Sequence, residues 1–312
     1  MSMPTRPDSA IEARSVPVPR RRGPLGAVQR FPLISFYVVA CAASWLGWLP
    51  YVLSAQGQGI LDFNFPGGPE GSQLLGVLPG AYIGPLGAAL LVTAVTGGRE
   101  GLRAWRRRLF RLRVGWHWYA IVLIGVPITM VSGAFGIPGL AESIKSPPVM
   151  VLAVYLPALL IQVVTTGLAE EPGWRDFALP LMQRRMGPAV GTAVLGVVWA
   201  FWHLPLFFTD WSLGGKEYDT AHWWITIGVF TIMCVAISYP ITWVFNHTKE
   251  SLPVALLLHA SNNTVASIVL PEIFPDADGV TMLAAGALGY GLVSVVLLGV
   301  TRGRLGYRGP RD

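Results

Sequence analysis

Two adjacent carboxylates, Glu170 and Glu171, sit in sequence otherwise suited to lipid. They lie within Gly167-Leu168-Ala169-Glu170-Glu171-Pro172-Gly173-Trp174-Arg175, between the apolar runs 149–164 and 177–182. A charged side chain at mid-bilayer costs roughly 3 kcal/mol on insertion scales, so it needs a partner, a water-filled cavity or a task. Glu171 and Arg175 are spaced i, i+4 and can form an ion pair on one helical face. Glu170 points about 100° away and has no local partner, which leaves it free to act as a general base or acid.

Two further polar groups lie in apolar sequence. His203 follows Trp199-Ala200-Phe201-Trp202, roughly 20 Å of helix beyond Pro188. His259 and Asn263 are spaced i, i+4 in Leu258-His259-Ala260-Ser261-Asn262-Asn263 and share a face. Each segment alone has an ordinary structural reading. The glutamates can be tied to Arg175, His203 can be a packing residue among aromatics, and His259 with Asn263 can be interhelical glue worth around 1 kcal/mol. Together they place one carboxylate, two imidazoles and one amide at overlapping depths. That set can polarise water, take a proton and hold an oxyanion.

The elements that must position these groups are membrane helices. Of 312 residues, 53% are hydrophobic and 13% charged, with mean hydropathy +0.52, against about 25% charged in soluble domains. The fold class is all-α, a polytopic bundle of about eight transmembrane helices. The spans are placed near 31–54, 74–96, 116–138, 149 onward, 188–208, 222–245, 252–270 and 280–300, each close to the roughly 20 residues that cross hydrocarbon. Gly76, Gly80 and Gly84 suit close helix contact.

The loops support that count. Basic residues follow the even spans, from Arg99 to Arg113, at Arg184 and Arg185, at Lys249, and from Arg302 to Arg311. The opposite side carries Asp62 and Glu70, Glu142 with Lys145, Asp210 to Asp219, and Glu272 to Asp278. This alternation fits both termini being cytoplasmic. The net charge of +6 is then topogenic, the partner is the lipid bilayer, and nucleic acid is excluded as a partner. Residues 1–30 read as a disordered basic cytoplasmic tail without a cleavable signal. Residues 31–148 carry spans 1–3, 149–270 the polar core in spans 4–7, and 271–312 span 8 and a basic tail. Cys41 and Cys234 read as small buried hydrophobes, and the twelve Trp suit interfacial belts. Arg99 to Arg113 reads as a solvated or lipid-phosphate-facing loop, and His117, His222 and His247 as water-exposed.

The depth of the Glu pair depends on where span 4 ends. With Arg184 as the cytoplasmic rim, Glu170 lies roughly 20 Å deep. Pro172 and Gly173 should loosen the helix there and admit water.

Glu170-Glu171-x-x-x-Arg175, then Trp199-x-x-x-His203, then His259-x-x-x-Asn263, in this order and on separate spans, resembles the CPBP family of CAAX prenyl endopeptidases and Abi-type relatives. The resemblance covers about residues 150–270, and Trp199 stands where that pattern usually has Phe. It implies an eight-helix intramembrane endopeptidase acting on a membrane-associated peptide or protein substrate, with a prenylated CAAX-like tail as one form; the preference for Arg over Lys and the many Gly, Pro and Ala point to a bacterial inner membrane. It also implies roles. Glu170 activates water with help from His203, His259 and Asn263 hold the oxyanion, and Glu171 with Arg175 supports span 4. A divalent metal such as zinc, if used, would fall to Glu170, His203 and His259, although the expectation leans to no firmly held metal. Two other function classes stay open, a non-catalytic immunity or scaffold protein on the same fold and a proton-coupled transporter.

Overall fold

The computed structural model describes residues 23–213 and 220–309. Among the described residues, eight helices are long and apolar enough to cross a membrane, spanning Pro32–Leu53, Gly71–Leu109, Trp116–Gly136, Met150–Met186, Pro188–Phe208, Ala221–His247, Leu252–Ile273 and Gly279–Val300. No strand occurs among the described residues. The expected eight spans are all present, and the fifth has the expected limits.

The differences lie at the ends of elements. Residues 24–30, expected to be part of a disordered tail, form a short helix that opens with Pro24, since proline lacks the N–H that a first helical turn leaves unpaired anyway. Residues 1–22, and the expected loop charges Lys216, Glu217 and Asp219, lie outside the described residues. The basic stretch after the second span is helical to Leu109, not a loop. The apolar part of that span does end near the expected point, where Gly98 leaves helical geometry (φ 55°, ψ −147°) and redirects the chain.

The fourth span remains one helical element through the Glu pair to Met186, as the depth reading required. At 37 residues it is about 55 Å long at 1.5 Å per residue, far more than a bilayer core. It is interrupted by wide π-turns at Val163–Gly167 and Pro172–Ala178. The second begins at the proline expected to loosen the helix, whose ring removes an intrahelical donor. Before the first π-turn the span exposes Leu152, Leu156 and Leu160, whereas Ala169 to Asp176 is buried throughout. The polar motif therefore sits where the helix leaves the outer surface of the bundle and enters its centre. It then reverses into the fifth span at Gly187, whose φ of 77° suits a residue without Cβ.

Close packing encloses this segment. A Cβ on Gly76, Gly80 or Gly84 would fall within 2.3 Å of Tyr51, 2.3 Å of Trp48 or 1.8 Å of Ser44, so the expected glycine ridge is where spans one and two meet. Gly173 touches Pro85 in the same way, its virtual Cβ lying 2.6 Å from the Pro85 carbonyl. That contact joins the π-turn of the fourth span to another π-turn, Tyr82–Leu86, in the second. Spans three, four and six pack on the seventh, and the sixth lies between the fifth and the eighth. The tryptophans do not all form belts. Trp48, Trp174 and Trp202 are fully buried and meet one another at ring separations of 4.7 Å and 5.6 Å. Cys41 and Cys234 are free; Cys234 is buried as expected, whereas Cys41 is only half-buried.

Candidate functional site

The fourth, fifth and seventh spans bring Glu170, Glu171, Arg175, Trp199, His203 and His259 into one buried cluster. The expected i, i+4 pair forms. Arg175 Nε lies 3.3 Å from Glu171 Oε2, with both side chains fully buried. The contact is one of charge, because Arg175 Nε and Nη1 and Glu171 Oε2 have no hydrogen-bond partner among the described residues. Arg175 Nη2 donates to Ser238 Oγ at 3.4 Å, and the guanidinium lies 4.7 Å from the centre of the Trp199 ring. A cation over an indole face gains about 0.5–2 kcal/mol, most when desolvated.

Glu170 does have a partner, contrary to the expectation for its own helix. Trp199 Nε1 donates to Glu170 Oε2 at 2.7 Å. A single helix could not show this, because the donor arrives from the fifth span. The signal available was Trp199 itself, since an indole N–H buried in apolar sequence needs an acceptor. The two carboxylates are thus differentiated. Glu171 takes the formal positive charge, and Glu170 takes a neutral donor on one oxygen.

His259 belongs with Glu171. Its Nδ1 donates to Glu171 Oε1 at 2.9 Å, which leaves Nε2 as the nitrogen not committed to the protein. His203 has the same arrangement with a different acceptor. Its Nδ1 is 2.8 Å from the Trp199 carbonyl. A carbonyl only accepts, so Nδ1 carries the proton and Nε2 the lone pair. The His203 ring stacks on Trp211 at 5.5 Å and meets Phe230 and Trp202 edge-on at 5.0 Å and 4.6 Å. Its neighbourhood is aromatic, and no direct contact with Glu170 accompanies the expected assistance. The Trp199 ring links the groups, with centroids 5.0 Å from His259 and 5.9 Å from His203.

Asn263, one turn beyond His259 on the same α-helix as expected, is hydrogen-bonded to its sequence neighbour. Its Oδ1 accepts from Asn262 Nδ2 at 3.0 Å, and Asn262 Oδ1 is buried without a partner among the described residues. Accepting through Oδ1 leaves the Asn263 NH₂ available as a donor. Tyr155 and Ser261 share a hydrogen bond of 3.1 Å nearby.

Asp176, one turn past the Glu pair, was missed in the sequence. It is buried and holds Arg108 in a two-point ion pair through Nε and, at 3.1 Å, through Nη2. For Arg108 this corrects the reading of Arg99 to Arg113 as a solvated or lipid-phosphate-facing loop, while Arg99, Arg103, Arg106, Arg107 and Arg113 are exposed. A third acid in the same apolar stretch was the signal, since it too needed a counter-charge. Arg111 also donates to the Lys249 carbonyl at 2.6 Å, and Ser251 Oγ donates to the Arg111 carbonyl at 2.6 Å. The end of the second span is therefore tied to the start of the seventh. His117, His222 and His247 are exposed, as expected.

No group of three or more His, Cys, Asp or Glu side chains is placed to hold a metal ion among the described residues. The donors of Glu170, His203 and His259 are not gathered as a ligand set. They are spread around the Trp199 ring.

Residues 151–265 match the family model described as type II CAAX prenyl endopeptidase, Rce1-like. That range contains every residue of the cluster above, together with Asn263. A curated relative, CAAX prenyl protease 2 of Methanococcus maripaludis, is 26% identical over 105 residues, which is 34% of this chain and 38% of the relative. The chain thus matches less than half the length of that protein.

Proposed function

We propose that this chain, whose residues 151–265 match the type II CAAX prenyl endopeptidase model, is an intramembrane endopeptidase of the CPBP family using Glu170 as its base. The substrate class is a membrane-associated peptide or protein, with a prenylated CAAX-like tail the form suggested by the curated relative's name. The observation that carries this reading is the division of labour between the carboxylates. Glu171 is neutralised by Arg175 and committed to His259. Glu170 is buried beside them with a neutral donor on Oε2, so its second oxygen is the group suited to take a proton.

The proposed step runs as follows. Glu170 Oε1 takes a proton from water, and the water oxygen attacks the scissile carbonyl carbon. His203 Nε2, which carries a lone pair, accepts a hydrogen bond from the same water and orients it. The carbonyl becomes an oxyanion, held by the Asn263 amide N–H and by a proton on His259 Nε2, the ring being oriented through Nδ1 by Glu171. Collapse breaks the C–N bond, and the proton on Glu170 passes to the leaving nitrogen. Glu171 and Arg175 act through the others, fixing the His259 ring and the fourth span. Precise donors of this kind are worth about 10²–10³ in kcat each, which leaves the residues themselves enough chemistry for hydrolysis.

The test is Glu170→Gln in the full chain reconstituted in liposomes. The probe is a farnesylated CAAX peptide carrying a fluorophore and quencher, alongside comparison of membrane peptides from cells with and without the substitution. Loss of a general base predicts about a 10²–10⁴-fold fall in kcat with unchanged expression and helicity. Processing retained within about threefold, a margin far below that range, would overturn the proposal.

A further inference from the structure

Trp199 contacts Glu170, Arg175, His203 and His259, and the mechanism above gives it no task. We propose that Trp199 is a positioning residue for the Glu170 carboxylate, its indole N–H fixing Oε2 so that Oε1 alone faces the water. This rests on the proposed role of Glu170.

The geometry gives Trp199 this role in three ways. First, an indole has one donor, in the ring plane, and it is spent on Glu170 Oε2 at 2.7 Å between two buried side chains. A single donor on one oxygen fixes the carboxylate plane without occupying the other oxygen. Second, the ring cannot swing away freely. The Arg175 guanidinium covers one face at 4.7 Å, and His259 meets the ring at 87° with centroids 5.0 Å apart. Rotation would cost the cation–π contact and leave two buried polar groups unpaired. Third, the backbone of the same residue accepts the His203 Nδ1 proton. One residue therefore sets the orientation of the base, the tautomer of one imidazole and the packing of the other. A purely structural tryptophan needs any acceptor, as Trp48 and Trp202 find in the Val77 carbonyl and Ser44 Oγ. Trp199 donates to the one carboxylate in the cluster that lacks a cation of its own.

The experiment removes the donor and keeps the ring. Trp199→Phe, and site-specific replacement of Trp199 by benzothienylalanine, in which sulfur replaces the N–H, are assayed in liposomes with the farnesylated CAAX peptide. The control is Trp48→Phe, which loses an indole hydrogen bond to the Val77 carbonyl and is separated from His203 by the Trp202 ring. Both donor-less variants are expected to lose about 10- to 100-fold in kcat with KM within about twofold, the pattern of a misaligned group rather than lost binding. Trp48→Phe is expected to keep kcat within about twofold, because its lost donor served the Val77 carbonyl and not Glu170. In ¹⁵N-tryptophan-labelled protein the Trp199 indole resonance, assigned by its absence in Trp199→Phe, is expected to move by more than its linewidth on Glu170→Gln. Unchanged kcat in a folded donor-less variant, or an unmoved resonance, overturns the inference. If Glu170→Gln is inactive in the same preparation, that outcome removes Trp199 and spares the base. If Glu170→Gln is active, the underlying reading falls instead.

Discussion

Arg175→Met removes one charge from the centre of the bundle and keeps an unbranched side chain of similar reach. Both members of the Glu171–Arg175 pair are fully buried, with Nε and Oε2 3.3 Å apart, so solvent does not screen the loss. At an effective dielectric constant of 20 their attraction is about 5 kcal/mol, and deleting one partner of a buried pair usually costs about 3–5 kcal/mol because the other charge is stranded. The stacking of the guanidinium on Trp199 disappears as well, at about 1 kcal/mol, part of which overlaps the first figure. The expected destabilisation is therefore about 3–5 kcal/mol. Glu171→Gln should cost less, because Arg175 keeps Ser238 and the indole face. The double variant Glu171→Gln with Arg175→Met has no stranded charge and should recover more than half of the single loss. Reversible unfolding in mixed micelles with increasing SDS, followed by far-UV circular dichroism, measures all three. A cost below about 1 kcal/mol for Arg175→Met, the scale of an exposed pair, would refute the argument, as would a double variant no better than the single.

Two further outcomes follow from the packing and the caps. Gly84→Ala should destabilise by about 1–3 kcal/mol, since its Cβ would meet Ser44 Oγ at 1.8 Å and the Ala40 carbonyl at 2.9 Å, whereas Gly97→Ala, with open space around it, should be neutral or gain up to about 1 kcal/mol of helix propensity; the same SDS titration compares them. Asp278 caps the last span, and its hydrogen bond from the Thr281 N–H holds its carboxyl below the ordinary 3.8. A lowered folded value means the contribution is present above about pH 3.8 and fades as pH falls through the folded value. The stability gap between the wild-type protein and Asp278→Ala should therefore shrink in melts taken below pH 4, and a gap constant from pH 7 to pH 3 would contradict it.

The fold was legible because lipid imposes strong rules. A run of about 20 apolar residues needs no tertiary information to be recognised, and a ridge of Gly76, Gly80 and Gly84 marks a helix contact by size alone. The Glu171–Arg175 pair was legible because it lies within one helix. What could not be read were contacts between spans, which depend on rotation about each helix axis. The π-turns at Val163–Gly167 and Pro172–Ala178 change that rotation by an amount no regular periodicity encodes. Hence Trp199 reaching Glu170, His259 reaching Glu171 and Arg108 reaching Asp176 all emerge only in three dimensions. Arg108 illustrates the limit well. By composition it is one arginine among several in a basic stretch, and its distinction comes from the one buried acid that its helix end can touch.

The adjacency of Glu170 and Glu171 also explains why the pair is tolerated. Two like charges on consecutive residues would repel strongly in a dry interior. About 100° of helical rotation separates them, and each is met by different chemistry. Arg175 and His259 converge on Glu171, so most of the local positive charge goes to one carboxylate. The other receives an indole N–H that stabilises an anion without cancelling it. An arrangement selected for stability alone would gain by neutralising both, or by replacing Glu170 with an apolar side chain of similar volume, which for buried charges is commonly neutral or stabilising. Glu170 is instead held, oriented and left with one oxygen unspent, in a bundle where the Nε2 atoms of His203 and His259 are uncommitted too. On the proposed function, that uncommitted hydrogen-bonding capacity is what water and substrate would use.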